Sequence, residues 1–343
     1  MYSEIGEVVH MIETGENNPR NSEGAFITLN NNNILFVYTK FIGKTAQDNS
    51  KACIASVLFD GEEWTDNGVI ISPEEHKVKN IMGVSLLRMQ NDDIGLFYLV
   101  RKGWDDLRMV LRRSKDEGKT WGEPKYCMKH KGYYEVNNDR VIRLKRGRII
   151  IPASFYRFNG KYNPYSFKGT GVFFISDDDG ETWKESWNIC TMPVQRSMSG
   201  LQEPGIVELK TGDLWAWFRT DMGFQYESFS MDCGGTWTPP QPSVFTSPDS
   251  PMSMKMIEGN LLAVLNPIPA HFGSQGRRTP LVLAVQDGRK WTGYKYLESI
   301  YSTNKGYCYT AIHFDGQDIY FAYSECIYKK NKFDIGKLII RKL

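Results

Sequence analysis

Ser230-Met-Asp-Cys-Gly-Gly-Thr-Trp237 reads Ser-x-Asp-x-Gly-x-Thr-Trp. The pattern recurs as Ser114-Lys-Asp-Glu-Gly-Lys-Thr-Trp121 and Ser176-Asp-Asp-Asp-Gly-Glu-Thr-Trp183. Two worn copies, Phe59-Asp-Gly-Glu-Glu-Trp64 and Gln286-Asp-Gly-Arg-Lys-Trp291, flank these three. The closing tryptophans, Trp64, Trp121, Trp183, Trp237 and Trp291, stand 57, 62, 54 and 54 residues apart. A period of that size means one supersecondary unit repeated along the chain. The residue types suit a turn between strands. Ser and Asp side chains bond nearby backbone N–H groups and Gly supplies a positive φ. The Trp is then expected between neighbouring sheets, with its indole N–H on a partner.

Short runs of alternating hydrophobicity, separated by Gly, Asn and Asp turns, lead into each copy. Predicted strands are Phe26–Leu29, Ile34–Tyr38 and Ala52–Leu58 before the first copy, and Gly83–Arg88, Ile94–Arg101 and Met109–Ser114 before the second. Arg140–Leu144, Arg148–Phe155 and Gly171–Ser176 precede the third; Gly205–Leu209, Leu214–Arg219 and Tyr226–Ser230 precede the fourth. Pro251–Ile257, Leu261–Leu265 and Leu281–Val285 precede the fifth. Tyr309–Phe314, Ile319–Ser324 and Lys337–Arg341 form a sixth unit without a turn motif, and Val8–Ile12 is expected to complete it. No long stretch carries a helical period.

Net charge of +2 gives no footprint for nucleic acid or an anionic membrane surface, and no run approaches the length of a membrane span. The six cysteines have no CxxC spacing, which argues against a zinc site and predicts reduced thiols. The N-terminus shows no basic and apolar leader, so no signal peptide is visible. That leaves the compartment open between the cytoplasm and a trimmed secreted or periplasmic protein.

The repeated motif is an Asp-box, and with it the chain resembles the sialidase (neuraminidase) superfamily. The resemblance implies an all-β, six-bladed β-propeller with Asp-box repeats. Residues 1–343 would form one domain, its last blade closed by the N-terminal strand. Asp116, Asp178 and Asp232 are then turn residues, because the Asp-box is a folding element. The long connections Thr39–Lys51, Tyr156–Thr170 and Pro267–Arg278 would gather on the faces, where sites are built.

The resemblance also implies site residues. Sialidases hold the substrate carboxylate with three arginines, which suits a guanidinium's bidentate, permanently charged fork. Arg20, Arg219 and Arg278 match their positions, with Arg277 competing for the third. Glu203, opening a predicted strand that leads through a Gly turn to Arg219, matches the family base. The nucleophilic tyrosine falls on Tyr309, with Tyr307 as its rival; they stand two apart, so pleat direction does not separate them. Asp48 matches the acid/base aspartate, and Glu23 or Asp139 compete as proton donors. Asp139 and Arg140, in the polar run Asn137-Asn138-Asp139-Arg140, and Asp221 and Tyr226, just after Arg219, are expected to line the site.

The activity implied by the resemblance is that of an exo-acting glycoside hydrolase, cleaving terminal sialic acid from a carbohydrate substrate without metal or cofactor. A phenol nucleophile approaches a carboxylate-bearing anomeric carbon without charge repulsion; it is weak until a base takes its proton. The alternatives are a glycosidase of the same fold acting on another acidic sugar, or a non-catalytic glycan-binding propeller.

Overall fold

The computed structural model describes residues 3–160, 168–269, 278–287, 290–299, 304–329 and 332–343. Its strands pair into antiparallel units of four. The first unit is Asn21–Thr28, Ile34–Phe41, Ala52–Phe59 and Trp64–Ile71; the second is Asn80–Arg88, Ile94–Gly103, Asp106–Ser114 and Lys125–Tyr126. In the third, a broken inner strand, Tyr133–Glu135 and Ile142–Arg143, pairs with Ile149–Tyr156, followed by Thr170–Ser176 and Lys184–Glu185. Gln202–Glu208, Leu214–Arg219, Phe224–Ser230 and Gln241–Thr246 form the fourth, and Ser253–Ile257, Asn260–Leu265, Leu281–Asp287 and Lys290–Glu298 the fifth. Lys305–Phe314, Ile319–Lys329 and Lys332–Lys342 form the sixth, whose outer edge takes Glu7–Ile12 antiparallel to Lys332–Lys342.

Apolar packing falls between neighbouring units, which makes the array propeller-like. Leu35, Val37 and Ile54 of the first unit meet Ile81, Leu96 and Val110 of the second. Phe97, Leu99 and Met109 then meet Ile149, Ile151 and Phe174. The series continues to the last contact, where Phe36, Tyr38 and Val57 of the first unit meet Tyr320, Leu338 and Ile340 of the sixth. Among the described residues no helix is long and apolar enough to cross a membrane.

The Asp-boxes are built alike. Asp232 Oδ1 accepts from Ser230 Oγ and from Thr236 N, and Oδ2 accepts from Thr236 Oγ1, all at 2.8 Å; Ser230 Oγ in turn accepts from Gly234 N at 2.8 Å. The same four bonds form around Asp116 and Asp178. Gly234 has φ 89°, and a Cβ there would sit 2.7 Å from Ile150 of the preceding unit. Trp237 stacks on Phe173 of that unit with centroids 3.9 Å apart, a contact worth roughly 1 kcal/mol beyond area burial. The turn thus staples each unit to its predecessor. One expectation needs correction. Trp183 donates to Gly180 O at 3.1 Å, but among the described residues the buried indole N–H groups of Trp121 and Trp237 have no hydrogen-bond partner; ring packing, not the N–H, sets their pose. Of the worn copies, Asp60 keeps bonds from Glu62 N and Glu63 N, both 2.9 Å, while the one ending at Trp291 lies partly outside the described residues.

A second repeated device carries no sequence signature. Glu23, Gly83, Asp139, Glu203 and Tyr309 all have positive φ, between 45° and 70°. In the first, second, fourth and sixth units that residue lies within a register slip between the inner strand and its neighbour: Ser22/Ala25, Met82/Ser85, Gln202/Gly205 and Cys308/Ala311. An extra residue at a bulge re-aims a side chain. Left-handed backbone at a non-glycine residue is unfavourable by about 1 kcal/mol or more, so surrounding contacts must hold it.

Candidate active site

A cavity of about 620 Å³ opens where these bulges meet, and Glu23, Glu203 and Tyr309 are in its wall. Arg20 and Asp48 come from the first unit, Arg101 from the second, Tyr133, Glu135 and Tyr156 from the third. Arg219 ends a strand of the fourth unit, and Arg278 precedes one of the fifth. Arg277 lies outside the described residues.

The three predicted arginines reach one cavity, each held from behind. Arg20, 2% exposed, donates from Nε to Ser22 Oγ at 2.8 Å and pairs with Glu23 at 3.2 Å and Asp48 at 2.6 Å. Arg219 pairs through Nη1 with Glu203 Oε1 at 3.0 Å and through Nε with Asp249 Oδ1 at 2.6 Å. Arg278 Nη2 reaches the Asp249 carbonyl at 3.4 Å, and its guanidinium lies 5.5 Å from the Tyr309 ring centroid. Burial pushes the Asp249 carboxyl up, but Arg219 and Arg278 outweigh it and hold it below the usual range.

Tyr309 and Tyr307 do not share a face. Tyr307 packs edge-on against Tyr323, with centroids 5.9 Å apart, between the fifth and sixth units. The bulge turns Tyr309 into the cavity instead, because pleat counting fails across a residue in the left-handed region. Burial, then the charge of Glu203, drives the Tyr309 phenol well above its usual value, with Arg278 opposing. Glu203 and Tyr309 share the cavity, but no hydrogen bond joins them. Glu203 Oε1 is taken by Arg219, while the buried Oε2 has no hydrogen-bond partner among the described residues.

Asp48 stands at the mouth with its side chain 67% exposed. Desolvation works against its charge, but Arg20, with Arg101 and Arg278 behind it, holds its pKa below the usual value. Glu23 behaves oppositely. Burial, resisted by Arg20 and assisted by Asp48 and Glu203, pushes it up to about 7. Glu135, which no sequence motif marks, accepts from Tyr156 Oη at 2.6 Å, and that hydroxyl accepts from Gln202 Nε2 at 3.0 Å. Burial and the Glu203 charge raise the Glu135 carboxyl.

Four expected lining residues lie elsewhere. Asp139 accepts from Lys255 Nζ and from Ile312 N, both at 3.1 Å. Arg140 donates to Met252 O at 2.7 Å and Ser253 Oγ at 3.1 Å and lies over the Trp217 ring. Their polarity therefore serves a buried hub joining the third unit to the fifth and sixth; of the run, Asn137 alone reaches the cavity. Asp221 is consumed by Ser197 Oγ, Met198 N and Ser199 Oγ at 2.6, 2.7 and 3.0 Å. Tyr226, on the third strand of its unit, is buried between the third and fourth units. Asp249 joins the site without a motif to mark it; its one local trait in the sequence is its place between Pro248 and Pro251, just ahead of an inner strand.

Residues 26–335 match the BNR repeat-like domain family. Sialidase-3 of Rattus norvegicus is 31% identical over 150 residues, spanning 40% of this chain and 35% of the rat protein, so the match covers about a third of that relative. A protein of unknown function from Dyadobacter fermentans superposes with a TM-score of 0.73 at 18% identity, over 99% of this chain and 98% of that one. The NanB sialidase of Streptococcus pneumoniae superposes with a TM-score of 0.71 at 15% identity, over 98% and 70% of the two chains. Those two likenesses speak to the fold alone, whereas the family match runs through nearly all the repeats described above. The chain belongs to the BNR repeat-like domain family.

Proposed function

We propose that the chain is an exo-acting glycoside hydrolase that removes a terminal acidic sugar, sialic acid foremost, from glycoconjugates. The observation that carries this reading is the meeting of Arg20, Arg219 and Arg278 with Tyr309 and Glu203 in one cavity. Three guanidinium groups fix a carboxylate beside the anomeric carbon, and a neutral phenol attacks where a carboxylate would be repelled.

In the first half-reaction Tyr309 Oη bonds to the anomeric carbon as the glycosidic C–O bond breaks. Glu203 takes the phenol proton through Oε2, and Asp48 gives its proton to the leaving oxygen. In the second, Asp48 takes a proton from water, the water oxygen bonds to the anomeric carbon, and the Tyr309 bond breaks. Glu203 then returns the proton to the phenolate. This departs from the common two-carboxylate scheme. Asp48 must be protonated to act, yet Arg20 favours its charged form. A substrate carboxylate on Arg20 weakens that attraction and lets the Asp48 pKa rise, so substrate binding itself arms the acid.

The Glu135–Tyr156–Gln202 chain favours a second reading within the same class. A wall of hydroxyl, amide and carboxyl groups suits an acidic sugar other than sialic acid.

Hydrolysis of a fluorogenic aryl sialoside by wild type and by Tyr309→Phe tests the proposal. Turnover lost in a folded Tyr309→Phe variant is expected. A folded wild-type protein inert toward aryl sialosides sinks the sialic acid reading, and inertness toward a panel of acidic aryl glycosides sinks the enzyme reading in favour of a binding protein.

A further inference from the structure

The cavity does not end at its mouth. Arg101 and Asn49 also line a second cavity of about 740 Å³ beside the first and second units, whose other walls include His76, Lys77, Lys79 and Lys102. Among the described residues none of its lining groups is acidic. Of the carboxylates close to it along the chain, Glu74 pairs with Lys51 at 2.6 Å, Glu75 with Arg112 at 2.8 Å and Asp48 with Arg20 at 2.6 Å, which leaves Asp105, beside Gly103, against four basic side chains. Lys77, Lys79 and Lys102 are exposed and form no ion pair among the described residues. Burial and the Arg112 charge lower the His76 pKa, so the positive charge there is that of three lysines and Arg101.

Arg101 differs from Arg20 and Arg219. Arg20 and Arg219 each carry carboxylate partners, whereas Arg101 donates from Nη1 to Tyr133 Oη at 2.6 Å and forms no ion pair among the described residues. Beside it Trp104, 41% exposed, stacks on Tyr133 with centroids 6.2 Å apart, and the Arg101 guanidinium lies 5.7 Å from the Trp104 ring. An aromatic ring beside a cation that forms no ion pair among the described residues suits a sugar ring that bears an acidic group.

We propose that this second cavity is a subsite for the leaving side of the substrate, and that it selects an oligosaccharide carrying further carboxylate or sulfate groups beyond the sugar removed. The inference rests on the glycosidase reading for its direction: the first cavity holds the terminal residue, and the chain leaves through Arg101. A glycan is favoured over a nucleic acid because the cationic groove continues a cavity already suited to one acidic sugar, and because the net charge of the whole chain is only +2.

Calorimetric binding tests the subsite without turnover, so its failure is separable from failure of the hydrolysis assay. The probes are an oligogalacturonate, its methyl ester, a chondroitin sulfate hexasaccharide and a single-stranded DNA oligomer. At least one of the two acidic glycans is expected to bind with an affinity that falls as salt rises, and the methyl ester is expected not to bind. Binding of the oligogalacturonate shows that carboxylates suffice, whereas binding of the chondroitin sulfate alone, which carries both groups, shows that sulfate is needed. In the triple variant Lys77→Glu, Lys79→Glu, Lys102→Glu, with its melting temperature retained, affinity is expected to fall by about tenfold or more. Should that variant not fold, Lys102→Ala alone is expected to weaken binding about threefold. Binding of neither acidic glycan, equal binding of the methyl ester, unchanged affinity in the variants, or DNA binding as tight as glycan binding would each overturn the proposal.

Discussion

Asn138 Nδ2 donates to the carbonyl oxygen of Tyr309 at 3.2 Å and to that of Gly24 at 2.8 Å. One buried amide therefore spans the bulges of the first and sixth units, next to the two residues, Glu23 and Tyr309, whose left-handed backbone turns them into the cavity. Asn138→Ala leaves both carbonyls without that donor. The expected cost is about 2 kcal/mol of stability. In addition kcat should fall more than KM rises, because the misplaced group is Tyr309 and not an arginine of the carboxylate clamp. A variant with wild-type melting temperature and wild-type kcat would show that the bulges hold themselves.

Asp249 ties two arginines of the clamp, one by its carboxylate and the other by its main-chain carbonyl. Asp249→Asn keeps the size of the side chain and removes the charge that fixes Arg219. KM for an acidic aryl glycoside is expected to rise about tenfold, with a smaller change in kcat, since the interaction lost acts on the bound carboxylate in ground and transition states alike. A fall in kcat at constant KM would place Asp249 in the chemistry instead.

Glu23 makes the stability depend on pH in a stated direction. Its ordinary pKa of 4.5 rises to about 7 in the folded protein, through burial. Between those values the folded state binds more protons than the unfolded state, so stability is greatest at the acid end and falls as pH rises through about 7. Glu23→Gln removes this dependence. Its melting temperature, relative to wild type, is expected to climb from pH 5 to pH 8, a difference of up to about 3 kcal/mol at the upper end. Glu135 adds to the wild-type slope with the same sign and is unchanged in the variant. A variant and wild type separated by a constant gap across that range would show that Glu23 titrates normally.

The architecture was legible because its signals are local. A Ser-x-Asp-x-Gly-x-Thr-Trp turn closes on itself through bonds four residues long, so its letters survive in the chain. The inner-strand bulges leave no such trace. Glu23, Glu203 and Tyr309 are not residues that left-handed backbone selects, and part of what holds them comes from other units, as Asn138 holds the Tyr309 carbonyl. Pleat counting was therefore silent between Tyr307 and Tyr309. The run Asn137 to Arg140 was legible as buried polarity but not as to its address; a hub and a site wall are written in the same residues. Glu135 and Asp249 had no motif to announce them, since one is defined by a tyrosine 21 residues away and the other by an arginine 30 residues away.

The identity of the proton donor is open to a leaving-group test. A donor matters in proportion to how badly the departing oxygen needs a proton: a phenolate departs alone, a sugar alkoxide does not. In kcat/KM, which reports the first half-reaction and not the later attack of water, Asp48→Asn is therefore expected to stay within about tenfold on an activated aryl glycoside and to lose roughly two to four orders of magnitude on an oligosaccharide. Asp48 is placed for this by its exposure at the mouth, where a leaving group departs, whereas Glu23 lies beneath it, 6% exposed and bonded to Arg20 and Ser22. Glu23→Gln should accordingly weaken both substrates alike, through Arg20. If the selective loss on the oligosaccharide appears in Glu23→Gln and not in Asp48→Asn, the roles are reversed. The carboxyl already near neutrality would then be the acid, and Asp48 the counter-ion that keeps Arg20 in place.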